Sequence, residues 1–137
     1  MVRRPGSRSS FIALIAVTVL GVTACNNESA TEVVCDRAED LTHGVTEIDD
    51  AVKAGELDDA TEAVRELRKD FDGLVRRLNG IDNSAADSIE PLIGPADAAI
   101  LGLETAHTID ELSTALAAGA GAIDAIANET TTALACS

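Results

Sequence analysis

Apolar residues recur along this chain at alternating intervals of four and three. Val34, Ala38, Leu41, Val45, Ile48 and Val52 set the rhythm of a first predicted helix, from near Thr31 to Gly55. Leu57, Ala60, Val64, Leu67, Phe71, Leu74 and Leu78 repeat it in a second helix that stops at Asn79-Gly80. A spacing averaging 3.5 residues is the seam of closely aligned, gently supercoiled helices. Gly55 suits the left-handed position just past a helix end, as does the Asn79-Gly80 pair, and Asp58 and Asp59 suit the next helix start. Ile89, Leu92, Ile93, Ala96, Ile100 and Leu103 give a third apolar face, interrupted by Pro91 and Gly94-Pro95. Proline removes a helical hydrogen bond and clashes with the preceding turn, so this helix is expected to kink or break. Thr108 and Glu111 stand at capping-box spacing before a fourth seam of Ile109, Leu112, Leu116, Gly119, Ile123, Ile126, Thr130 and Ala133. No period-two alternation bounded by turns occurs. The pattern predicts an all-α domain over residues 31–137, an up-down-up-down four-helix bundle with a kinked or broken third helix.

The N-terminal stretch reads differently. Residues 1–10 are polar and carry Arg3, Arg4 and Arg8; residues 11–22 are apolar and too short to span a bilayer comfortably. Small residues then precede Cys25. This order is that of a secretory signal, and Val22-Thr23-Ala24-Cys25 resembles the lipobox of bacterial lipoprotein signal peptides. The resemblance implies a signal peptide at 1–24, acylation of the Cys25 thiol, and a mature chain beginning at that lipidated residue. Residues 25–30 would then be the lipidated Cys and a short polar tether. The expected location is the extracytoplasmic face of a cell membrane, reached through the N-terminal lipid. More than one acyl chain is what stable anchoring requires, and the resembled modification supplies them.

Charge narrows the choice of partners. Beyond residue 24 the chain carries all 24 acidic residues against seven Lys and Arg, a net −17. Such a surface is soluble and self-repelling, and it excludes nucleic acid, whose phosphates require cations. Five of those seven cations, Arg65, Arg68, Lys69, Arg76 and Arg77, fall in the second predicted helix, and none follows Arg77. Phe71 is the one aromatic residue beyond the signal, which weighs against stacking sites for sugars or bases and against Trp- or Tyr-centred hot spots. Arg in excess of Lys, with abundant Ala, Gly, Asp and Thr, is usage of the kind found in high-GC genomes.

Two cysteines remain besides Cys25. Cys35 opens the first helix and Cys136 closes the fourth, and in an up-down-up-down bundle those ends meet at one pole. In an exported protein a Cys35–Cys136 disulfide is expected, the alternative being two free thiols.

Catalytic constellations are weak. Asp40 with His43, and Glu104 with His107, have the acid-x-x-His spacing of ferritin-like di-metal bundles, but the heptad register turns His43 to solvent and the first two seams hold no carboxylates. Glu39, His43 and Glu47 share an exposed stripe that could hold a surface cation weakly. There is no glycine-flanked serine elbow, and Gly119-Ala120-Gly121 lies within a helical pattern rather than after a strand. No catalytic residue, metal site or cofactor is assigned, and an enzyme is not expected.

What is left is the small-residue face of the fourth helix, from Ala115 to Ala127. Its Ala and Gly let another helix approach closely, with Phe71 able to fill the gap. Left unfilled, small side chains opposite Leu, Ile and Val leave an apolar groove or cavity, with the Pro91/Gly94-Pro95 break as its mouth. Phe71, Leu92, Ile93, Ile100, Leu116, Gly119 and Ile123 are its expected lining. The sequence thus points to a binding or interaction module with an envelope protein as partner. The alternatives are a carrier or sensor of a small apolar ligand and, more weakly, cation binding by the acidic surface.

Overall fold

The computed structural model describes residues 29–137. The lipobox-like segment, Cys25 and most of the tether lie outside those residues. The described residues form helices α1 (Ala30–Ala54), α2 (Leu57–Arg77), α3 (Asn83–Ile89), α4 (Ile93–Glu104) and α5 (Ile109–Ala133), with 3-10 turns at Leu78–Gly80 and Glu90–Leu92. They contain no strand. The protein is an all-α helical bundle: α1 packs on α2 and on α5, and α4 packs on α5 and on α2.

Local chemistry sets the helix ends. Ser29 caps α1 through a reciprocal box, its hydroxyl accepting from the Glu32 N–H at 3.2 Å while Glu32 accepts from the Ser29 N–H at 3.4 Å. This box starts the helix one residue before the position the apolar pattern suggested. Gly55 ends α1 at φ +73°, the left-handed conformation expected of it. Gly80 does not enter that region; the chain leaves α2 through the 3-10 turn instead. What Gly80 supplies is closeness, since a Cβ there would sit 2.8 Å from Ala30 Cβ. Asp82 caps α3 by accepting from the Ser84 N–H at 3.1 Å. At α5 the Thr108 hydroxyl accepts from the Glu111 N–H at 3.1 Å. The Glu111 carboxylate returns to the His107 N–H at 2.7 Å, one residue earlier than a capping box requires.

A single core joins all the helices. Its largest fully buried side chains include Leu41, Ile48, Leu67, Leu74, Ile89, Ile100, Leu103, Leu112, Ile123 and Ile126, with Phe71 among them. The α2 seam is the predicted one from Ala60 to Leu78, whereas Leu57 stays largely exposed. In α1 the buried positions drift from Val45 to Gly44 and from Val52 to Ala51. A helix of 3.6 residues per turn slides against a 3.5-residue repeat in this way, so both members of each pair face inward in part.

Closeness between helices is built from glycine. A Cβ on Gly44 would lie 2.9 Å from Leu67 Cδ1, and one on Gly119 would lie 2.7 Å from Ala99 Cβ and 3.2 Å from Ala99 Cα. The α4–α5 interface is therefore a Gly-on-Ala contact with no slack. Gly121, two residues on, faces open space.

A left-handed residue follows α5. Ala135 has φ +51°, and the Cys136 N–H reaches back to the Thr131 carbonyl at 3.0 Å. This closure resembles the glycine-terminated helix cap, with alanine bearing the conformation at a cost of about 1 kcal/mol. It returns Cys136 to Cys35, and the two are disulfide-bonded, 101 residues apart in sequence.

The two neighbouring glycines separate packing from propensity. Gly119→Ala should destabilise the domain by about 1–3 kcal/mol through overpacking against Ala99. Gly121→Ala should be neutral or stabilise it by up to about 1 kcal/mol, because it removes a helix-interior glycine without a clash. Urea denaturation of both variants checks this; equal effects would contradict the Gly119–Ala99 contact.

Candidate functional site

The residues proposed to line a groove divide in two. Phe71, Ile100, Gly119 and Ile123 are buried in the core rather than along an open channel, and Leu116, also buried, borders a trough between α1 and α5. Leu92 and Ile93 are half-buried at the turn between α3 and α4. The expected groove lining is thus corrected at Phe71, Ile100, Gly119 and Ile123. The small residues of α5 do not leave a gap; they let α4 approach until Ala99 occupies the space in front of Gly119.

Exposed apolar surface appears on the outside of the same helix pair. Leu101 is 53% exposed, the most open large apolar side chain among the described residues. Exposed Pro95, Ala98 and Gly102 on α4, and Ala118 and Gly121 on α5, flank the Ala99–Gly119 contact without a charge. Leu101 itself lies one turn from both Asp97 and Glu104, on the side of α4 away from α5. A shallower trough of about 380 Å³ runs between α1 and α5, lined by Val45, Val52, Leu116, Ala117 and Ala120 with Thr46, Asp49 and Ser113.

Carboxylates dominate elsewhere. A cleft of about 630 Å³ between the end of α1 and the start of α2 is lined by Glu47, Asp50, Glu56, Asp59, Glu62 and Glu66 together with Ala51, Ala54 and Ala63. His43 and His107 are both exposed, and Glu39 and Glu47 share the solvent stripe with His43. Among the described residues no group of three or more His, Cys, Asp and Glu side chains is gathered to hold a metal ion. Cys35 and Cys136 line a further cleft of about 380 Å³ with Asp36, Glu39, Thr42 and His43. Their sulfurs are engaged with each other.

Arg68 is the strongest electrostatic feature, and the sequence pattern gave it no special place. Its guanidinium donates to Asp97 at 2.6 Å and to both oxygens of Glu104, at 2.8 and 3.2 Å. It also lies 5.8 Å from the centre of the Phe71 ring. Only 21% of the side chain is exposed. The hydrogen bonds to Glu104 come first among the causes that raise its pKa, against a desolvation penalty. The forked geometry ties α2 to two acids about two turns apart on α4, which Lys could not do. A readable signal exists in hindsight: Asp97 and Glu104 are seven residues apart on a helix and share a face.

A second cross-helix pair joins Arg37 of α1 to Asp70 of α2 at 2.9 Å. Asp70 is nevertheless pushed up from the usual carboxylate range. Burial is the main cause and the nearby Asp40 adds to it, while Arg37 only partly offsets them. Asp82, by contrast, is held below the usual range by hydrogen bonds from the Ser84 hydroxyl and from backbone N–H groups.

No helix among the described residues is long and apolar enough to cross a membrane. Comparison of the chain with family models, with curated proteins and with solved structures found no match.

The two aspartates give opposite pH signatures. A carboxyl whose folded pKa is raised contributes stability below its unfolded pKa and loses it as pH rises through the folded value. The stability of the native protein relative to Asp70→Asn should therefore fall between about pH 3 and pH 7. Relative to Asp82→Asn it should instead rise with pH, and over the acid range, below about pH 5, because its folded value lies under the unfolded one. Denaturant titrations at several pH values read both differences. A native advantage over Asp70→Asn that grows with pH would show that Arg37 outweighs burial.

Proposed function

We propose that this chain is a lipid-anchored, non-enzymatic interaction module on the extracytoplasmic face of a bacterial cell membrane, with an envelope protein as its partner. The address rests on the lipobox-like Val22-Thr23-Ala24-Cys25 and the charged and apolar stretches before it. The domain is read as an up-down-up-down bundle in which residues 83–104 are a single third helix broken at Pro91. Helix packing in a ring and the bond between Cys35 and Cys136 support that reading.

One observation carries the docking function: the exposed Leu101 on the outer side of α4, with Ala98 and Thr105 on one side and the Arg68-held Asp97 and Glu104 on the other. An apolar anchor bordered by small side chains suits a partner surface that can approach closely, and the surrounding carboxylates would discourage nonspecific association. The close approach of Ala99 to Gly119, which leaves no space between α4 and α5 there, favours docking over internal carriage of a ligand.

A photo-crosslinking residue placed at position 101 in cells should give a discrete adduct, and one at Glu39, on the acidic face, should not. Adducts that are identical at both sites, or absent from both, would contradict docking through α4 and α5. An apolar ligand mass retained on the native protein in mass spectrometry would replace docking by carriage. Cys25→Ala should release the protein from the membrane fraction, and full retention would contradict the anchor.

A further inference from the structure

We propose that Arg76 and Arg77 contact anionic phospholipid headgroups and fix how the domain stands on the membrane; this rests on the anchoring reading above. The seven cations beyond the signal are not equivalent. Arg37 pairs with Asp70 at 2.9 Å, Lys53 with Asp49 at 2.7 Å, Arg65 with Glu62 at 2.9 Å, and Lys69 with Glu66 at 3.2 Å. Arg68 holds Asp97 and Glu104. Arg76 and Arg77 form no ion pair among the described residues, and both are exposed. On a chain with 24 carboxylates, two adjacent cations without a partner stand out.

Their position gives the pair a meaning. They end α2 one turn before Gly80, whose Cβ position lies 2.8 Å from Ala30 Cβ at the start of α1. The pair therefore sits at the pole from which the chain runs back toward Cys25. Ser29 is four residue steps from Cys25, at most about 14 Å when extended. A lipid on Cys25 would hold this pole within one to two Debye lengths of the headgroups, about 8 Å each at physiological salt. Glu32 is already engaged in the Ser29 capping box, and Asp82 in the cap of α3. Asp36 remains exposed there, but the cations are the longer side chains.

The helix macrodipole also favours cations in a last turn. That effect acts on helix stability and is indifferent to the lipid, so lipid composition separates the two roles. With this pole down, the α1–α2 turn at Gly55 and the acidic cleft beside it point away from the membrane, and the Leu101 face stands along the side.

The test uses the full-length lipidated protein, reconstituted into vesicles of phosphatidylcholine with and without phosphatidylglycerol. Arginines are modified with phenylglyoxal and read residue by residue by mass spectrometry. Arg76 and Arg77 should react on the order of fivefold more slowly when phosphatidylglycerol is present. Arg65, about 16 Å further along the same helix, should react equally in both. Equal rates at Arg76 and Arg77 on protein that floats with the vesicles would overturn the headgroup contact and leave the anchor standing. Protein that floats with neither vesicle would overturn the anchor, and the headgroup contact with it.

Discussion

The bond between Cys35 and Cys136 closes the bundle, and the rest of the architecture sits inside that closure. It joins the first helix to the residue just after the last one across 101 positions. By chain entropy alone, a loop of that length removes about 4–5 kcal/mol of freedom from the unfolded chain. Domains of this size are stable by only about 5–15 kcal/mol in total, so one covalent link is comparable to the net. The strained end supports the same view. Ala135 holds a left-handed conformation where glycine would be at ease, and that turn is what delivers Cys136 to its partner.

Inside the closure, two kinds of contact fix the helix arrangement. Gly44 against Leu67 and Gly119 against Ala99 bring backbones close, so that a core with a single aromatic ring still packs without gaps at these crossings. Small side chains contribute little transfer free energy each, and their value lies in allowing the Leu and Ile side chains beside them to meet. Arg68 and Arg37 then fasten α2 to its two neighbours from the flanks. Arg68 is the more effective of the two, since its fork, its partial burial and its Phe71 contact restrict it to one geometry. Arg37 pulls on an aspartate that burial and Asp40 push the other way.

Much of the fold was legible in the sequence. The seam from Ala60 to Leu78 is the buried face of α2, Gly55 ends α1, and the Cys35–Cys136 pairing is present. The misreadings have definite physical causes. A 3.5-residue repeat placed Val45 and Val52 at the centre of the α1 seam, whereas helical drift gives Gly44 and Ala51 the deeper positions. Gly80 looked like a conformational signal and is a spacing device. The small residues of α5 fitted either close helix packing or a groove, and it is close packing that occurs, with Ala99 opposite Gly119, a pairing that a one-dimensional pattern does not reveal. Arg68 read as one more cation near a helix end, since its partners lie 29 and 36 residues away on another helix.

The functional reading follows from where charge is neutralised and where it is absent. Five of the seven cations pair with acids of the fold, the exposed Leu101 on α4 is the proposed docking anchor, and Arg76 and Arg77, unpaired among the described residues, mark the pole nearest the proposed tether. All three depend on a bundle held closed at that pole. The most direct test is a pair of urea denaturation curves on the exported protein, one with reductant and one without. Closure by Cys35–Cys136 predicts a loss on the order of 4–5 kcal/mol on reduction. Superimposable curves would contradict it and leave the bundle to noncovalent packing alone.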